Sequence, residues 1–184
     1  NENIGTSYRK SDRDTIQLSV SNSFNHYSGL SESNSVATLN LAYARDLSPT
    51  LAALVYGQGS SYYGSLRCES YGGGAGLKWQ AGEKTAISLS GGPQLNTSKC
   101  GTQQGFAYSA SFSTQLTGKS QIYLLSARQP TASYLGPGLW QESASGGYQR
   151  QVTNIGTISF DVGYVASKTL TTVNSYRGTY VDFI

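Results

Sequence analysis

The chain has 184 residues, of which 38% are hydrophobic and only 12% charged, with a net charge of +3 and a mean hydropathy of -0.33. Lys and Arg form no cluster beyond Arg9, Lys10 and Arg13, which Asp12 and Asp14 interrupt, so nucleic-acid binding finds no basic footprint. No window approaches eighteen consecutive apolar residues, which excludes a membrane helix. Ordinary soluble domains carry about 25% charge; here Ser, Thr, Gln, Asn, Gly and Tyr stand in its place. That mixture suits a β-barrel with a lipid-facing exterior and a wet interior, and equally a secreted all-β protein.

The chain begins at Asn1 and contains no Met, as a mature or trimmed product would. Residues 3–9 read as a strand remnant before the charged turn Lys10 to Asp14. From Thr15, apolar Ile16, Leu18, Val20 and Phe24 alternate with Gln17, Ser19, Ser21, Ser23 and Asn25, the two-residue period of a strand. A polar loop at Gly29 to Asn34 precedes Ala37, Leu39, Leu41 and Tyr43, which alternate with Thr38, Asn40 and Ala42. Pro49 then turns the chain. Leu51 to Tyr62 forms a third strand with mixed faces, followed by a loop holding Arg67, Cys68 and Glu69.

The fourth strand sets Tyr71, Gly73, Ala75, Leu77 and Trp79 against Gly72, Gly74, Gly76, Lys78 and Gln80. After the turn Ala81 to Lys84, Thr85, Ile87 and Leu89 alternate with Ala86, Ser88 and Ser90, up to Pro93 and a loop from Asn96 to Thr102. The clearest strand follows: Phe106, Tyr108, Ala110, Phe112, Thr114 and Leu116 against Ala107, Ser109, Ser111, Ser113 and Gln115. Thr117 to Ser120 turns the chain into Gln121 to Leu125, and a loop runs from Arg128 to Gly138. Trp140, Ala144, Gly146, Tyr148 and Val152 share one face; past the turn Thr153 to Gly156, Ile158, Phe160, Val162 and Tyr164 oppose Ser159, Asp161 and Gly163. Tyr176 to Ile184 is the last strand.

Turns centred on Ser48, Glu83, Gly118 and Asn154 recur about every 35 residues, each period holding two strands of about ten residues, long enough to cross a bilayer at a tilt. Residues 1–184 therefore read as a single all-β domain, an antiparallel up-and-down transmembrane β-barrel of about 10 strands or a portion of a larger barrel. Short turns alternate with longer loops, so the two ends of the sheet differ. Cys68 and Cys100 both fall at the long-loop end, where an oxidising medium favours a disulfide between them.

Residues 11–20 (Ser-Asp-Arg-Asp-Thr-Ile-Gln-Leu-Ser-Val), 45–50 (Arg-Asp-Leu-Ser-Pro-Thr) and 146–152 (Gly-Gly-Tyr-Gln-Arg-Gln-Val) give the chain its family likeness. Most of the chain resembles Gram-negative outer-membrane β-barrels, in particular a loose group associated with exopolysaccharide export. The resemblance implies a bacterial outer-membrane location, transport, and other components of an envelope export complex as partners; it assigns no functional residue.

An enzyme needs convergent groups, and the single His26 shares the apolar parity, which suits an interfacial residue better than a base. With no second Cys at a two- to four-residue spacing, no metal set forms, and no cofactor is expected. Gly72 to Gly74 with Gly76 lacks the Lys-Ser/Thr and helix of a phosphate loop. The polar parity offers a pore lining of Gln17, Ser19, Ser21, Ser23, Asn40, Lys78, Gln80, Ser109, Ser111, Ser113, Ser159 and Asp161, nearly neutral and suited to polar or carbohydrate solutes. Small side chains filling a narrow barrel explain the same residues. The aromatics Tyr27, Tyr43, Tyr56, Tyr62, Tyr63, Tyr71, Trp79, Tyr108, Trp140, Tyr148 and Tyr164 lie near strand ends, as interfacial girdles do. Expected functions are a passive channel or export conduit, a non-transporting structural or adhesive barrel, or a secreted glycan-binding β-sandwich.

Overall fold

A computed structural model describes residues 2–26, 33–63, 68–97, 103–133, 136–153, 156–168 and 175–183. They form eleven strands: β1 (Glu2–Arg9), β2 (Asp14–His26), β3 (Ser33–Ser48), β4 (Leu51–Tyr63), β5 (Cys68–Gln80), β6 (Thr85–Asn96), β7 (Gln103–Thr117), β8 (Ser120–Ser133), β9 (Gly136–Gln151), β10 (Thr157–Lys168) and β11 (Ser175–Phe183). All belong to one sheet in chain order, each antiparallel to the next. The up-and-down meander is as expected, and residues 3–9 form a full strand, which makes eleven rather than ten. The closed barrel is not seen: among the described residues β1 and β11 do not pair.

The expected alternation persists through the whole ladder. Leu18 faces Leu41, Leu41 faces Gly57 and, farther along, Leu77 faces Leu89, Leu89 faces Ala110 and Phe112 faces Leu124. Because the side-chain period is two, each such pair keeps its residues on one face of the sheet. That apolar face is open: Val55 is 59% exposed, Leu77 48% and Leu89 53%. The opposite face carries the buried polar groups Ser60, Ser70, Gln94 and Asn96.

The sheet curls towards its polar side. In a flat sheet five strand spacings of about 4.8 Å would hold β4 and β9 about 24 Å apart. Instead, Cα atoms of β3 approach β8, and those of β4 and β5 approach β9, within 8 Å.

Among the described residues the short turns lie at one end, at residues 10–13, 49–50, 81–84 and 118–119, the end at which β9 stops and β10 starts. Two carry local signatures. Ser11 accepts the backbone N–H groups of Arg13 and Asp14 on its hydroxyl, and Gly82 takes the left-handed φ of 78° that an L side chain resists.

At the other end the connections are shorter than expected. Ser33 and Asn34 belong to β3, Cys68 and Glu69 to β5, Arg128 to Ser133 to β8 and Gly136 to Gly138 to β9. Polar residues pair backbone groups as well as apolar ones do, so the ladders continue past the point where the hydrophobic alternation fades. The expected turn residues Asn154 and Ile155, and Ser98 to Thr102 of the expected loop, lie outside the described residues.

Pro93 does not end β6. It lies inside the strand, opposite Phe106 of β7, where the β5–β6 ladder lapses between Gly72↔Gln94 and Ala75↔Gly91. Proline has no N–H to offer β5, and the gap falls where that bond is missing. Glycines let the two backbones close over the lapse: a Cβ at Gly92 would overlap the Gly73 carbonyl, and one at Gly74 the Gly91 carbonyl. At Gly57, by contrast, a Cβ meets nothing within 4 Å.

These two environments set opposite expectations. Gly92→Ala forces backbone apart and should cost about 1–3 kcal/mol, whereas Gly57→Ala should be neutral or stabilise by up to about 1 kcal/mol. Urea unfolding of the two variants in the same detergent checks the ordering.

Candidate functional site

The polar face is the only wall of the sheet on which chemistry-bearing side chains of the described residues converge. Every residue expected to line a pore has its place on this face by register. Gln17, Ser19, Ser21 and Ser23 stand on β2 opposite Ala42, Asn40, Thr38 and Val36 of β3. Lys78 and Gln80 stand on β5 opposite Ser88 and Ala86 of β6; Ser109, Ser111 and Ser113 of β7 sit level with Ser90, Ser88 and Ala86. Ser159 and Asp161 of β10 face Gln149 and Gly147 of β9.

They are not brought together into one cluster. Lys78, Gln80, Ser88, Ser111 and Ser113 share a cavity of about 320 Å³ at the short-turn end, to which β4 adds Ala52. Beside it, a second cavity of about 230 Å³ is lined by Gln115, Gln121, Gln149 and Gln151, with Gln121 Nε2 donating to Gln149 Oε1 at 3.0 Å. Asn40 Nδ2 reaches Ser19 Oγ at 3.5 Å on the β2–β3 wall. The Asp161 carboxylate and the Tyr123 hydroxyl lean over Gly147 from the two neighbouring strands, in the space a Cβ there would fill.

The long-loop half of the same face is different. Ser70 is 1% exposed, Asn96 2% and Gln94 6%. Ser70 donates its hydroxyl to Asn96 Oδ1 at 2.6 Å and accepts Gln94 Nε2 at 2.6 Å. The Gln94 carboxamide lies over Gly72, in the space where a Cβ would otherwise stand. Ser60, the register partner of Ser70, is hydrogen-bonded separately, to Thr38 Oγ1 at 3.2 Å and to Gln58 Nε2 at 3.4 Å. Next to this network, Tyr62 and Cys68 are buried together against Val36. The wall is therefore wet and open at one end, dry and filled at the other.

Three expectations change here. Tyr62 and Tyr56 are not girdle residues, since both stand on the polar parity of β4, with Tyr62 against Val36 and Cys68. Trp140 is 7% exposed; its ring fills the space beside Gly105 and lies under the Arg128 guanidinium, 5.1 Å from centroid to Cζ. The wall is not a plain hydroxyl lining, because Val36, Leu54, Tyr56 and Tyr62 interrupt it. Gln94 and Asn96 were missed because Pro93 and the polar run after it read as a loop, and Ser70 because it adjoins the expected loop at Arg67 to Glu69; the signal that survives is parity, since Gln94 and Asn96 continue Ser88 and Ser90 and Ser70 precedes Gly72 and Gly74.

Tyr27 and Cys100 lie outside the described residues, as does the side chain of His26. Other expected aromatics stand on the exposed face: Tyr63, Tyr71, Tyr108 and Tyr164 towards the long-loop end, Tyr43 and Trp79 towards the short turns. At the short-turn rim the Tyr43 hydroxyl donates to Asp14 Oδ1 at 2.6 Å, with the Arg45 guanidinium 3.9 Å from the same oxygen. Arg128 and Glu142 pair at 3.4 Å near the other rim.

Ser70→Ala removes the centre of the network and leaves buried Gln94 and Asn96 groups without their partner, which should cost about 1–3 kcal/mol. Ser111→Ala, in the open half, should cost little. Chemical denaturation of both variants measures the difference. No protein-family model and no curated protein matches the chain, so its role is read from this wall and from the apolar face behind it.

Proposed function

We propose that the chain is an outer-membrane β-barrel protein, its apolar face in contact with lipid and its polar face enclosing a conduit for polar solutes such as carbohydrates. The supporting observation is the exposed face itself. Aliphatic residues such as Leu18, Leu39, Leu41, Val55, Leu77 and Leu89 form its middle, with Tyr63, Tyr71, Phe106 and Tyr164 towards one edge and Tyr8, Tyr43 and Trp79 towards the other. From Tyr71 to Trp79 the strand rises about 27 Å, which at a tilt of about 40° gives about 20 Å of depth, close to the apolar band of such barrels. A soluble sandwich would have covered this face with a second layer.

Hydrocarbon tolerates no unpaired strand edge. Eleven antiparallel strands leave β1 and β11 running in the same direction, so insertion requires both edges to be closed. Serine, threonine and glutamine groups at the two cavities bind hydroxylated solutes without holding ions tightly. The buried network in the long-loop half favours a second reading, a barrel that transports nothing and presents its loops to partners.

Insertion is tested with lipid vesicles. Leu41→Arg or Leu77→Arg, at mid-belt, should lower folding stability in the bilayer by about 2–4 kcal/mol, while Ser111→Arg should not. Equal loss from all three, or flotation of none of the proteins with the vesicles, overturns the membrane assignment. In planar bilayers the inserted protein should show brief openings whose current Ser111→Arg reduces; a folded, inserted protein without openings supports the non-transporting reading.

The same reading sets Cys68 and Cys100 in an oxidising compartment and pairs them. Alkylation of the folded and denatured protein should then add nothing before reduction and two adducts after it.

A further inference from the structure

Resting on the conduit reading, we propose that the pathway is shut at its long-loop end by its own wall, with the Trp140 indole and the Gln94–Ser70–Asn96 network acting as a gate. Two glycines supply the seats. On β5, Gly72 leaves room for the Gln94 carboxamide, and on β7, Gly105, the register partner of Gln94, leaves room for the Trp140 ring. Gln94 and Trp140 thus each occupy the place of a missing side chain, on strands two apart.

Trp140 stands on the apolar parity of β9, opposite Lys168 and Pro130, but its ring crosses to the polar side of β7 at Gly105, and Cα atoms of β5 and β9 approach within 8 Å. This is the dry half of the wall, where Ser70 and Asn96 are almost wholly inaccessible, whereas Lys78 and Gln80 on the same face of β5 are exposed at the short-turn end.

The network also looks built to part. Asn96 Nδ2 is buried without a hydrogen-bond partner, which a closed, purely structural core pays for without return. When the network parts, that amide gains water or solute oxygen as an acceptor, so opening recovers part of what it costs. The Arg128 guanidinium on the other face of the indole holds the ring in place when the gate is shut.

The test is single-channel recording of the full chain in planar bilayers, with insertion checked separately by vesicle flotation and by the heat-dependent gel shift of folded barrels. Wild type should be closed most of the time, and Trp140→Ala should raise the open fraction at least ~10-fold, with Trp140→Phe in between, the order expected if ring area fills the seat. Asn96→Leu, which removes the unpartnered amide, should lower the open fraction of wild type. In a Trp79→Phe background, Trp140 fluorescence should be shielded from aqueous iodide.

A wild type that is open most of the time, or a Trp140→Ala variant that inserts and gates like wild type, overturns the gate and leaves the conduit standing. Inserted wild type and Trp140→Ala proteins that both fail to conduct overturn the gate and the conduit together. Should Trp140→Ala fail to insert, Gly105→Val, which unseats the ring while keeping it, takes its place with the same expected rise.

Discussion

A single antiparallel ladder passes the identity of its two faces from strand to strand, and everything else in this molecule depends on that transfer being free of slips. Eleven strands are joined by ten pairings, and a one-residue error in any of them would carry every later serine onto the apolar face. The irregularities that do occur, at Asp46/Ser48, Gln115/Thr117 and Thr131/Ser133, lie at hairpin ends where little chain follows before the turn. Mid-strand the register holds, even across the lapse beside Pro93.

Given one layer with two unlike faces, curvature has a direction. Flat, the sheet would leave Ser70, Gln94 and Asn96 in water and gain nothing from their hydrogen bonds. Curled towards them, it buries the network and stretches the apolar side into a convex band. Glycine makes this possible where the curl is tight. At Gly74, Gly76 and Gly92 the backbones of β5 and β6 approach more closely than Cβ atoms allow, and at Gly72, Gly105 and Gly147 the vacated space is filled by side chains from a neighbouring or more distant strand.

The two halves of the polar face then behave differently for one reason. At the short-turn end the wall carries Ser, Lys and Gln around two cavities; at the long-loop end it carries the amide network, Tyr62 packed with Cys68, and the Trp140 ring beside Gly105. A buried amide network is stable only if its members satisfy one another, and Ser70 does this by donating to one neighbour and accepting from the other. The same residues that would shut a pathway also stiffen the sheet, so rigidity and closure come from one set of contacts.

Alternation was enough to determine from sequence the strand order, the two faces, the turns at Pro49, Gly82 and Gly118 and the common face of Gln17, Lys78, Ser111 and Ser159, because a period of two is a local property of consecutive residues. The sequence could not show how far each ladder runs: Cys68, Asn96 and Arg128 read as loop because polar residues weaken the alternation without weakening backbone pairing. Nor could it show which aromatics turn inward. Tyr62 and Trp140 look like any girdle residue until Val36, Cys68 and Gly105 are placed beside them, and that depends on which strands meet across the curl. Contacts between residues 35 positions apart are decided by the tertiary fold alone, since no local pattern records them.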